Sequence, residues 1–416
     1  MQDYVDPVIT VAVIGYGSRG ETYTRHMKAM PEKFRVVSGC DLRYVRLRRL
    51  QETFELADED VFSTEEEFFK KKRADLLIVS TQDRDHIRHA LKGLALGYDI
   101  LCEKPLTNDP KECKALLAAQ KKAGRKVLVC HVLRYAPAYV KLKELLDAGT
   151  IGRIVTIEHT ENVYFAHQAH SYVRGNWRRS EETSPMILAK CCHDMDLLQW
   201  FAGSPCETVS SLGDLRLFSA KNKPKGAAAR CLQCPLEGEC PFDAKEIYIN
   251  RRFWGRFAAT DVRPITEEAV EKALQEGPYG RCVYACDNDV VDNQIVDLHF
   301  KNGVTAHLCM MGLTGYAGRQ IKVYGTLGEI DFDEHKNTIE IYPFGGEPSV
   351  IDTNTLVPSG DGHGGGDGAM IAALYDMLTG NTPARTALAA SIESHYMAYA
   401  AEKSRLKGGK TVKVKH

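Results

Sequence analysis

A glycine-rich turn between a strand and a helix constrains the fold of this chain more than any other feature. The apolar run Ile9–Ile14 is followed at once by the residues GYGSRG at positions 15–20, which have the G-x-G-x-x-G spacing. In this pattern the first glycine permits a tight turn, the second lets the backbone approach a pyrophosphate, and the third permits close packing of helix on strand. The N-terminus of the helix then faces the phosphate charge. The cofactor contacts predicted in this turn are Gly15, Gly17, Ser18, Arg19 and Gly20.

Residues 1–131 alternate short apolar runs with amphipathic stretches. The runs are Ile9–Ile14, Arg35–Cys40, Ala74–Ser80, Asp99–Cys102 and Lys126–Cys130. A helix-like segment, Pro110–Ala123, ends at Gly124. This alternation predicts a doubly wound parallel sheet with helices between its strands. We therefore expect an α/β Rossmann domain that binds NAD over residues 1–131.

An acidic residue follows the second apolar run. Asp41 lies 21 positions beyond Gly20, where such folds place a carboxylate that accepts hydrogen bonds from the adenosine ribose hydroxyls. That carboxylate would repel a 2′-phosphate, so the sequence favours NAD over NADP, although Arg43 nearby weakens this preference. The alternative is a surface aspartate that merely follows a strand.

From Ile151 onward the pattern changes to longer strands that alternate in polarity. Val296, Leu298 and Phe300 alternate with polar residues, and an Asn302-Gly303 turn leads into a second alternating run. Asn-Gly between two such runs indicates a hairpin. Further strands are predicted at Gln320–Tyr324, Glu329–Phe332 and Thr338–Tyr342, and a helical tail from Gly368 to about Leu406. We expect an α+β domain over residues 132–416, with an open-faced, mostly antiparallel sheet.

Two polar clusters carry groups suited to proton transfer. Glu103-Lys104-Pro105 follows the Asp99–Cys102 run, and His193-Asp194-Met195-Asp196 lies in a predicted helix. Oxidation of an alcohol needs a base for the hydroxyl proton as hydride leaves carbon, and Lys and His both suit that role. Lys190, His193 and Asp196 are spaced by three, so a continuous helix would put them on one face. The catalytic candidates are Lys104, His193 and Lys190.

These motifs resemble the Gfo/Idh/MocA oxidoreductases, which include glucose–fructose oxidoreductase and inositol dehydrogenase. The resemblance covers essentially the whole chain and implies a Rossmann domain, a second domain with an open sheet, and a nicotinamide in the cleft between them. It also implies homodimers or homotetramers that pack through that sheet. In the family, the Lys that matches Lys104 contacts the reacting hydroxyl, and the His that matches His193 accepts or relays its proton. The remaining cofactor contacts predicted are Asp41, Arg43, Ser80, Thr81, His86, Glu103 and Lys104.

The sequence departs from the common family pattern beside His193. Many members carry an Asp four residues before this His, whereas this chain has Ala189, followed by Lys190. Lys190 is therefore expected to be a second cation of the active site, able to bind an anionic group of the substrate. The alternative is an ordinary helix lysine that faces water.

A dense polar and aromatic stretch precedes that helix. Such residues suit sugar binding, because rings stack on a pyranose and polar groups bond its hydroxyls, while Arg can hold a carboxylate or sulfonate bidentately. The alternative is an exposed polar loop. His363 and Asp367 are weaker candidates. The predicted substrate contacts are Arg134, Tyr164, His170, Arg174, Asn176, Trp177 and Asp196.

Cysteines cluster in an apparent insertion at about residues 221–290. Cys231-x2-Cys234-x5-Cys240 is followed by Cys282 and Cys286, and thiolates at C-x-x-C spacing chelate zinc well. We expect a structural zinc held by Cys231, Cys234, Cys240 and Cys282, with Cys286 as the competitor for the fourth position. Redox-active or free thiols are the main alternative, and a [4Fe–4S] cluster is a weaker one.

Three functions agree with these motifs. The first is an NAD-dependent dehydrogenase of a sugar, sugar derivative or cyclitol. The second is an NAD-dependent glycosidase, similar to sulfoquinovosidases of this superfamily, which oxidises, eliminates, adds water and reduces again without net redox change. The third is a non-enzymatic sensor, which would not need Lys104 and His193.

The composition limits which partners and which cellular compartment we expect. The formal net charge is -1, so we expect neither a nucleic-acid nor a membrane partner. The first residues lack a basic signal-peptide region, and no apolar run approaches the roughly 20 residues needed to span a bilayer. Thirteen cysteines, mostly in apolar runs, suggest a reducing cytoplasm.

Overall fold

The computed structural model describes residues 7–356, 362–380, 382 and 384–415. The chain divides into two compact units. Unit 1 comprises Met1–Ala148 and Asp352–Tyr396, and unit 2 comprises Gly149–Ile351 and Met397–His416. From the sequence we expect residues 352–396 in the second domain, whereas in the structure Asp352–Tyr396 groups with unit 1.

Fifteen strands are described. They are β1 Ile9–Ile14, β2 Phe34–Cys40, β3 Val61–Phe62, β4 Leu76–Val79, β5 Asp99–Cys102, β6 Val127–Val129, β7 Ile154–Asn162, β8 Cys206–Asp214, β9 Asn293–Phe300, β10 Thr305–Met311, β11 Gly318–Gly325, β12 Gly328–Asp333, β13 Thr338–Pro343, β14 Ser349–Asp352 and β15 Val412–Lys413.

Thirteen α-helices are described, several of them a single turn. They are α1 Ser18–Lys28, α2 Tyr44–Phe54, α3 Glu65–Phe68, α4 His86–Ala95, α5 Pro110–Ala123, α6 Pro137–Asp147, α7 Phe165–His167, α8 Met186–Ala189, α9 Cys192–Ala202, α10 Arg256–Ala259, α11 Glu267–Glu276, α12 Gly366–Leu378 and α13 Leu388–Arg405.

Unit 1 contains a six-stranded sheet in the order β3-β2-β1-β4-β5-β6. Every neighbouring pair in it is parallel, and its strands are almost entirely buried, as sequences with continuous apolar runs require. This is the strand order of a dinucleotide-binding fold, and it confirms the Rossmann prediction. The carboxyl ends of β1, β4 and β5 meet at one edge, where the predicted motifs lie.

The stretch that returns to unit 1 is tied to the edge of this sheet. Leu128 in β6 forms an antiparallel bridge with Ala387, and the Val129 N–H donates to the Thr386 carbonyl at 3.1 Å. These bonds satisfy backbone groups of an edge strand that would otherwise face solvent.

Unit 2 contains a nine-stranded sheet in the order β14-β13-β12-β11-β7-β10-β9-β8-β15. Strands β9 and β10 form the predicted hairpin, with His299 opposite Thr305 and with Gly303 at a φ of +88°. The β10–β7 pair is parallel, so the sheet is mixed and mostly antiparallel, as expected. Residues along β9 alternate between buried and exposed, so one face of the sheet is covered and the other is open.

Residues 215–292 lie between β8 and β9 and hold the cysteine-rich segment. Short helices in this stretch pack around two small apolar clusters in unit 2. One cluster is formed by Ala166, Ala244, Ile247, Tyr248, Val270, Leu274 and Tyr279, and the other by Ala169, Val173, Phe218, Phe242, Cys282, Val283 and Tyr284. Among the described residues, no helix is both long and apolar enough to cross a membrane.

Candidate functional site

The glycine turn has the geometry that a dinucleotide needs. Gly15 has a φ of +89°, and a Cβ there would meet the Ser80 carbonyl oxygen at 2.5 Å. A Cβ at Gly20 would clash with the carbonyl oxygen of Gly15, whereas one at Gly17 would meet only Arg46 Nη1, at 3.3 Å. The backbone over Gly17, directly before α1, is thus open to an incoming anion, so this turn fits a pyrophosphate.

Asp41 lies beside this turn at the carboxyl end of β2. Its Oδ2 accepts the Tyr16 N–H at 2.6 Å, and its Oδ1 accepts the Arg43 N–H at 2.8 Å. A carboxylate has about four lone-pair sites, so it retains acceptors for ribose hydroxyls. The ribose contact at Asp41 stays a prediction.

Three further predicted cofactor residues connect neighbouring strand ends of unit 1. Ser80 Oγ donates to the Gly15 carbonyl at 2.7 Å. The ring of His86 lies between two carbonyl groups, with Nδ1 2.7 Å from the Pro105 oxygen and Nε2 3.1 Å from the Thr81 oxygen. Ser80 and His86 therefore hold the ends of β1, β4 and β5 in register around the turn.

Glu103 is a buried carboxylate directly after β5. Its Oε2 accepts the Lys104 N–H at 2.9 Å, and its Oε1 accepts Arg19 Nε at 2.9 Å and the Tyr23 hydroxyl. Burial alone would raise the pKa of Glu103, but the charges of Arg19 and Lys104 outweigh it and hold that pKa below its usual range. The group is thus an anion that fixes the backbone of Lys104.

Arg19 is bonded within unit 1 rather than extended toward solvent. Besides Glu103, its guanidinium binds both oxygens of Asp367, from Nη2 to Oδ1 at 2.6 Å and from Nη1 to Oδ2 at 3.2 Å. The sequence predicted Arg19 as a cofactor contact. The structure places its charge between two carboxylates, and a cofactor contact of Arg19 stays a prediction.

In unit 2 the predicted helix across Lys190 and His193 is interrupted. Helix α8 ends at Ala189, Lys190 and Cys191 lie in the break, and α9 begins at Cys192. Lys190 and His193 therefore do not share a face of one helix, which corrects the sequence prediction. His193 lies in the first turn of α9 and is 5% exposed.

A buried ion network underlies that first turn. Arg319 Nε binds Asp194 Oδ1 at 2.7 Å, and Arg319 Nη2 binds Glu161 Oε2 at 2.7 Å. His159 Nε2 also contacts Asp194 Oδ1, at 2.9 Å. Burial would raise the pKa of Asp194, but Arg319 and His159 hold it well below its usual value. The network anchors the turn that carries His193.

Lys190 takes part in the same network. Its Nζ lies 2.6 Å from Glu161 Oε1, and its side chain is 14% exposed. The positive charge is thus already paired with a buried carboxylate, which weakens the expectation that Lys190 binds an anionic substrate group. The alternative of a lysine facing water does not hold either.

The predicted substrate residues differ in how far their side chains are buried, and two of them are almost fully buried. A π-helical segment, Gln168–Arg174, carries His170 and Arg174 inward. His170 stacks on Tyr279 with ring centroids 4.5 Å apart, and Arg174 donates to the carbonyls of Arg281 and Phe242. Neither side chain presents appreciable polar surface.

The remaining substrate candidates are more varied. Asn176 is exposed, and Tyr164 and Trp177 are partly exposed. Tyr164 has a φ of +78°, a conformation that non-glycine residues adopt rarely and mostly at functional sites. Arg134 in unit 1 is buried and donates to the Arg385 carbonyl, and Asp196 is buried in α9.

The cysteine-rich segment does not form the expected zinc centre. Cys231, Cys234, Cys240 and Cys282 line one cavity of about 20 Å³, enough for about one water molecule. Across the described residues, however, no group of three or more His, Cys, Asp or Glu side chains is placed to hold a metal ion. Cys231 Sγ instead accepts from Arg174 Nη2 at 3.4 Å, so the structure does not support the zinc prediction.

Sequence reasoning missed the buried acids and their partners. His159 and Glu161 occupy inward positions of β7, where an alternating strand normally carries apolar residues, and Arg319 does the same in β11. Polar residues at the inward positions of these strands could have indicated a buried ion network. Finding them from the sequence required β7 to be recognised as a strand first.

Comparisons with known proteins agree with this architecture. A family model described as "Oxidoreductase family, NAD-binding Rossmann fold" matches residues 9–131, and one described as "Oxidoreductase family, C-terminal alpha/beta domain" matches residues 143–414. The putative oxidoreductase YteT of Bacillus subtilis (strain 168) is 25% identical over 377 residues, which cover 86% of this chain and 82% of that protein.

Two further proteins are similar over different lengths. Inositol 2-dehydrogenase 2 of Saccharopolyspora erythraea is 26% identical over 243 residues, which cover 58% of this chain and 67% of that protein. The structure of the WlbA dehydrogenase from Bordetella pertussis, in complex with NADH and UDP-GlcNAcA, is 16% identical, covers 99% of both chains and has a TM-score of 0.72. At this identity the structural likeness shows the fold alone.

Proposed function

Because the chain belongs to the Gfo/Idh/MocA family of NAD-binding oxidoreductases, we propose that it oxidises a CH–OH group of a sugar, sugar derivative or cyclitol. The family and its dehydrogenase relatives support an NAD-dependent dehydrogenase. Carbohydrate-like ligands occur in structural neighbours, as in the WlbA complex with UDP-GlcNAcA. The choice of substrate class follows from these likenesses and from the proton-transfer groups described above.

One observation carries the proposal. The Arg19–Glu103 ion pair, 2.9 Å long, joins the glycine turn after β1 to the end of β5, where Lys104 lies. A cofactor cradle and a cationic side chain are thereby held at the same edge of one sheet. In open α/β sheets this edge is where ligands bind.

In the proposed reaction Lys104 donates a hydrogen bond to the reacting hydroxyl and His193 accepts its proton. Bound NAD supplies the hydride acceptor. The C–H and O–H bonds of the alcohol break, a carbonyl forms, and the proton passes to the imidazole. Glu103 orients the backbone of Lys104, and Asp194, held by Arg319, orients the turn that carries His193.

The glycosidase alternative needs additional acid–base groups, for which Lys190, Tyr164, His167 and His170 are the candidates. In the structure Lys190 is paired with Glu161, and burial, followed by the charge of Arg174, lowers the pKa of His170 to about 3. Two of the four groups are therefore poorly suited to proton transfer near neutral pH. The glycosidase therefore has less support than the dehydrogenase, and an activity assay can distinguish the two.

The test compares dehydrogenase and glycosidase directly. Purified protein is incubated with NAD and a panel of sugars, cyclitols and aryl glycosides, and NADH absorbance and phenol release are followed together. We expect NADH to accumulate with at least one polyol. Phenol release without net NADH would indicate the glycosidase instead.

A variant pair assigns the activity to Lys104. Lys104→Met should lower kcat by about 10²- to 10³-fold, the usual cost of removing one hydrogen-bond donor from an oxygen that develops charge, while the variant still binds NADH, as measured by fluorescence. Lys111→Met is the matched control, because Lys111 is exposed at the start of α5. Full activity of Lys104→Met would rule out its proposed role.

A further inference from the structure

Side chains from three distant parts of unit 1 meet around the guanidinium of Arg19. Arg19 belongs to the glycine turn, Glu103 follows β5, and Asp367 lies in the first turn of α12. The side chains of Glu103 and Asp367 are 8% and 2% exposed. Tyr23 completes the group, because its hydroxyl accepts from Arg19 Nη2 at 2.7 Å.

The network ends on the backbone of the proposed catalytic lysine. Glu103 uses Oε1 for Arg19 and Tyr23 and Oε2 for the Lys104 N–H. Its carboxylate is therefore held from both sides. A rotation of Glu103 would release the Lys104 N–H or the guanidinium, so the position of Arg19 and that of Lys104 are linked.

Asp367 holds the other side of Arg19, although the two residues are far apart in sequence. It lies 348 positions from Arg19 and also contacts His363 Nδ1 at 3.0 Å. Two glycines precede it: Gly365 has a φ of +86°, and a Cβ on Gly366 would meet the Val132 carbonyl oxygen at 2.6 Å. The start of α12 thus approaches Val132 closely enough to require glycine.

A bidentate carboxylate fixes both the position and the plane of a guanidinium. With Asp367 in place, the Arg19 Nε–H points at Glu103. Without it, Arg19 would keep one buried anion and gain freedom to rotate about its side-chain torsions. That motion would pass to Glu103 and then to Lys104.

We propose that Asp367 is a positioning residue for Lys104, acting through Arg19 and Glu103. This inference rests on the proposed function of Lys104 in alcohol oxidation. It assigns a role in the reaction to a residue of α12, far in sequence from the cofactor motif and from Glu103-Lys104-Pro105.

The test uses Asp367→Asn in the full-length protein, with Asp376→Asn as the matched control. Asp376 lies on the same helix, is partly exposed and forms no ion pair with any described residue. Displacement of a catalytic group by about 1 Å can cost about 10²-fold in rate. We therefore expect Asp367→Asn to lower kcat by about 10- to 100-fold, with little change in the KM of the alcohol and with a larger primary deuterium isotope effect on kcat.

A double-mutant cycle separates positioning from mere stabilisation. If Asp367 acts through Glu103, the kcat losses of Asp367→Asn and Glu103→Gln will be strongly non-additive. A lower melting temperature with kcat unchanged within about twofold would overturn the proposal. Should Asp367→Asn not fold, Arg19→Lys gives the same test, because a lysine cannot hold both carboxylates in fixed geometry.

A readout without turnover distinguishes failure of this inference from failure of the proposed function. Lysines are reductively methylated with ¹³C-formaldehyde, and the Lys104 signal is assigned by its loss in Lys104→Arg. Asp367→Asn should shift this signal, and Asp376→Asn should not. If the wild type oxidises no polyol, the proposed function fails, but an unshifted signal is what would overturn the positioning role.

Discussion

His170 shows how strongly burial alters a residue that the sequence places in a polar stretch. Its ring stacks on Tyr279 and its Nδ1 lies 2.8 Å from the Tyr248 hydroxyl. Burial, followed by the charge of Arg174, lowers the pKa of His170 to about 3. The folded protein therefore keeps this imidazole neutral well below the pH at which a free histidine is protonated.

This pKa predicts a pH dependence of stability. Between about pH 6.5 and pH 3 the unfolded chain binds a proton at His170 and the folded chain does not, so stability falls as the pH falls, by up to about 1.4 kcal/mol per unit. His170→Gln should remove this contribution, and the free energy of unfolding in urea should decline less steeply from pH 6.5 to pH 4.5. His299→Gln, at an exposed position, is the control, and equal slopes in the wild type and His170→Gln would contradict the prediction.

Single residues were predictable where local chemistry alone decides their role. Gly15 was predicted correctly as the first glycine of a tight turn, because the preceding strand and the glycine spacing are local features of the sequence. The partner of Arg19 was not predictable, because Asp367 is brought to it only by the tertiary fold. The same holds for Lys190, because its partner Glu161 lies on β7, far from it in sequence.

At the scale of elements, bounds were predicted best where capping residues mark both ends. Helix α5 was predicted over the residues it occupies, because Asp109 accepts the Lys111 N–H before it and Gly124 ends it at a φ of +61°. The break between α8 and α9 has no such mark. Its sequence keeps a helical periodicity, and Lys190, which lies in the break, pairs with Glu161 of β7.

The ion network between β7, β11 and α9 should contribute strongly to the stability of unit 2. Arg319→Met would leave the carboxylates of Glu161 and Asp194 buried with one cation fewer, and removing one partner of a buried pair typically costs about 3–5 kcal/mol. Urea unfolding should show a loss of that size.

The control for this prediction lies on the same strand. Lys322 faces the open side of β11, is 31% exposed and pairs with Glu329 at 3.0 Å. Lys322→Met should cost no more than about 1 kcal/mol, as exposed ion pairs do. If Arg319→Met and Lys322→Met both lost no more than about 1 kcal/mol, the ion network would not contribute strongly to the stability of unit 2.

At the scale of the whole molecule, the sequence predicted the type of each sheet. It did not predict which segments of the chain belong to each unit. The change from continuous apolar runs to alternating ones correctly separated a parallel from a mixed, mostly antiparallel sheet. Asp352–Tyr396 belongs to unit 1 and pairs with it over a long sequence distance, as Leu128 does with Ala387. A local sequence pattern does not predict such pairing.

The open face of the nine-stranded sheet leads to the last prediction, self-association of the chain. Leu212, Ile295 and Cys309 lie side by side across β8, β9 and β10, and Leu212 and Ile295 are 52% and 40% exposed. An apolar row on an open sheet face suits a contact between copies, in agreement with the oligomers that the family resemblance implies.

Sedimentation velocity should therefore give a mass of at least twice the 46.4 kDa of one chain. Ile295→Lys would place a charge within this contact and should raise the dissociation constant by at least about tenfold, or about 1.4 kcal/mol. Val262→Lys is the control, because Val262 is 50% exposed but lies in the stretch between β8 and β9. A monomer at micromolar concentration, or an equal effect of the two variants, would show that this face of the sheet is not the contact.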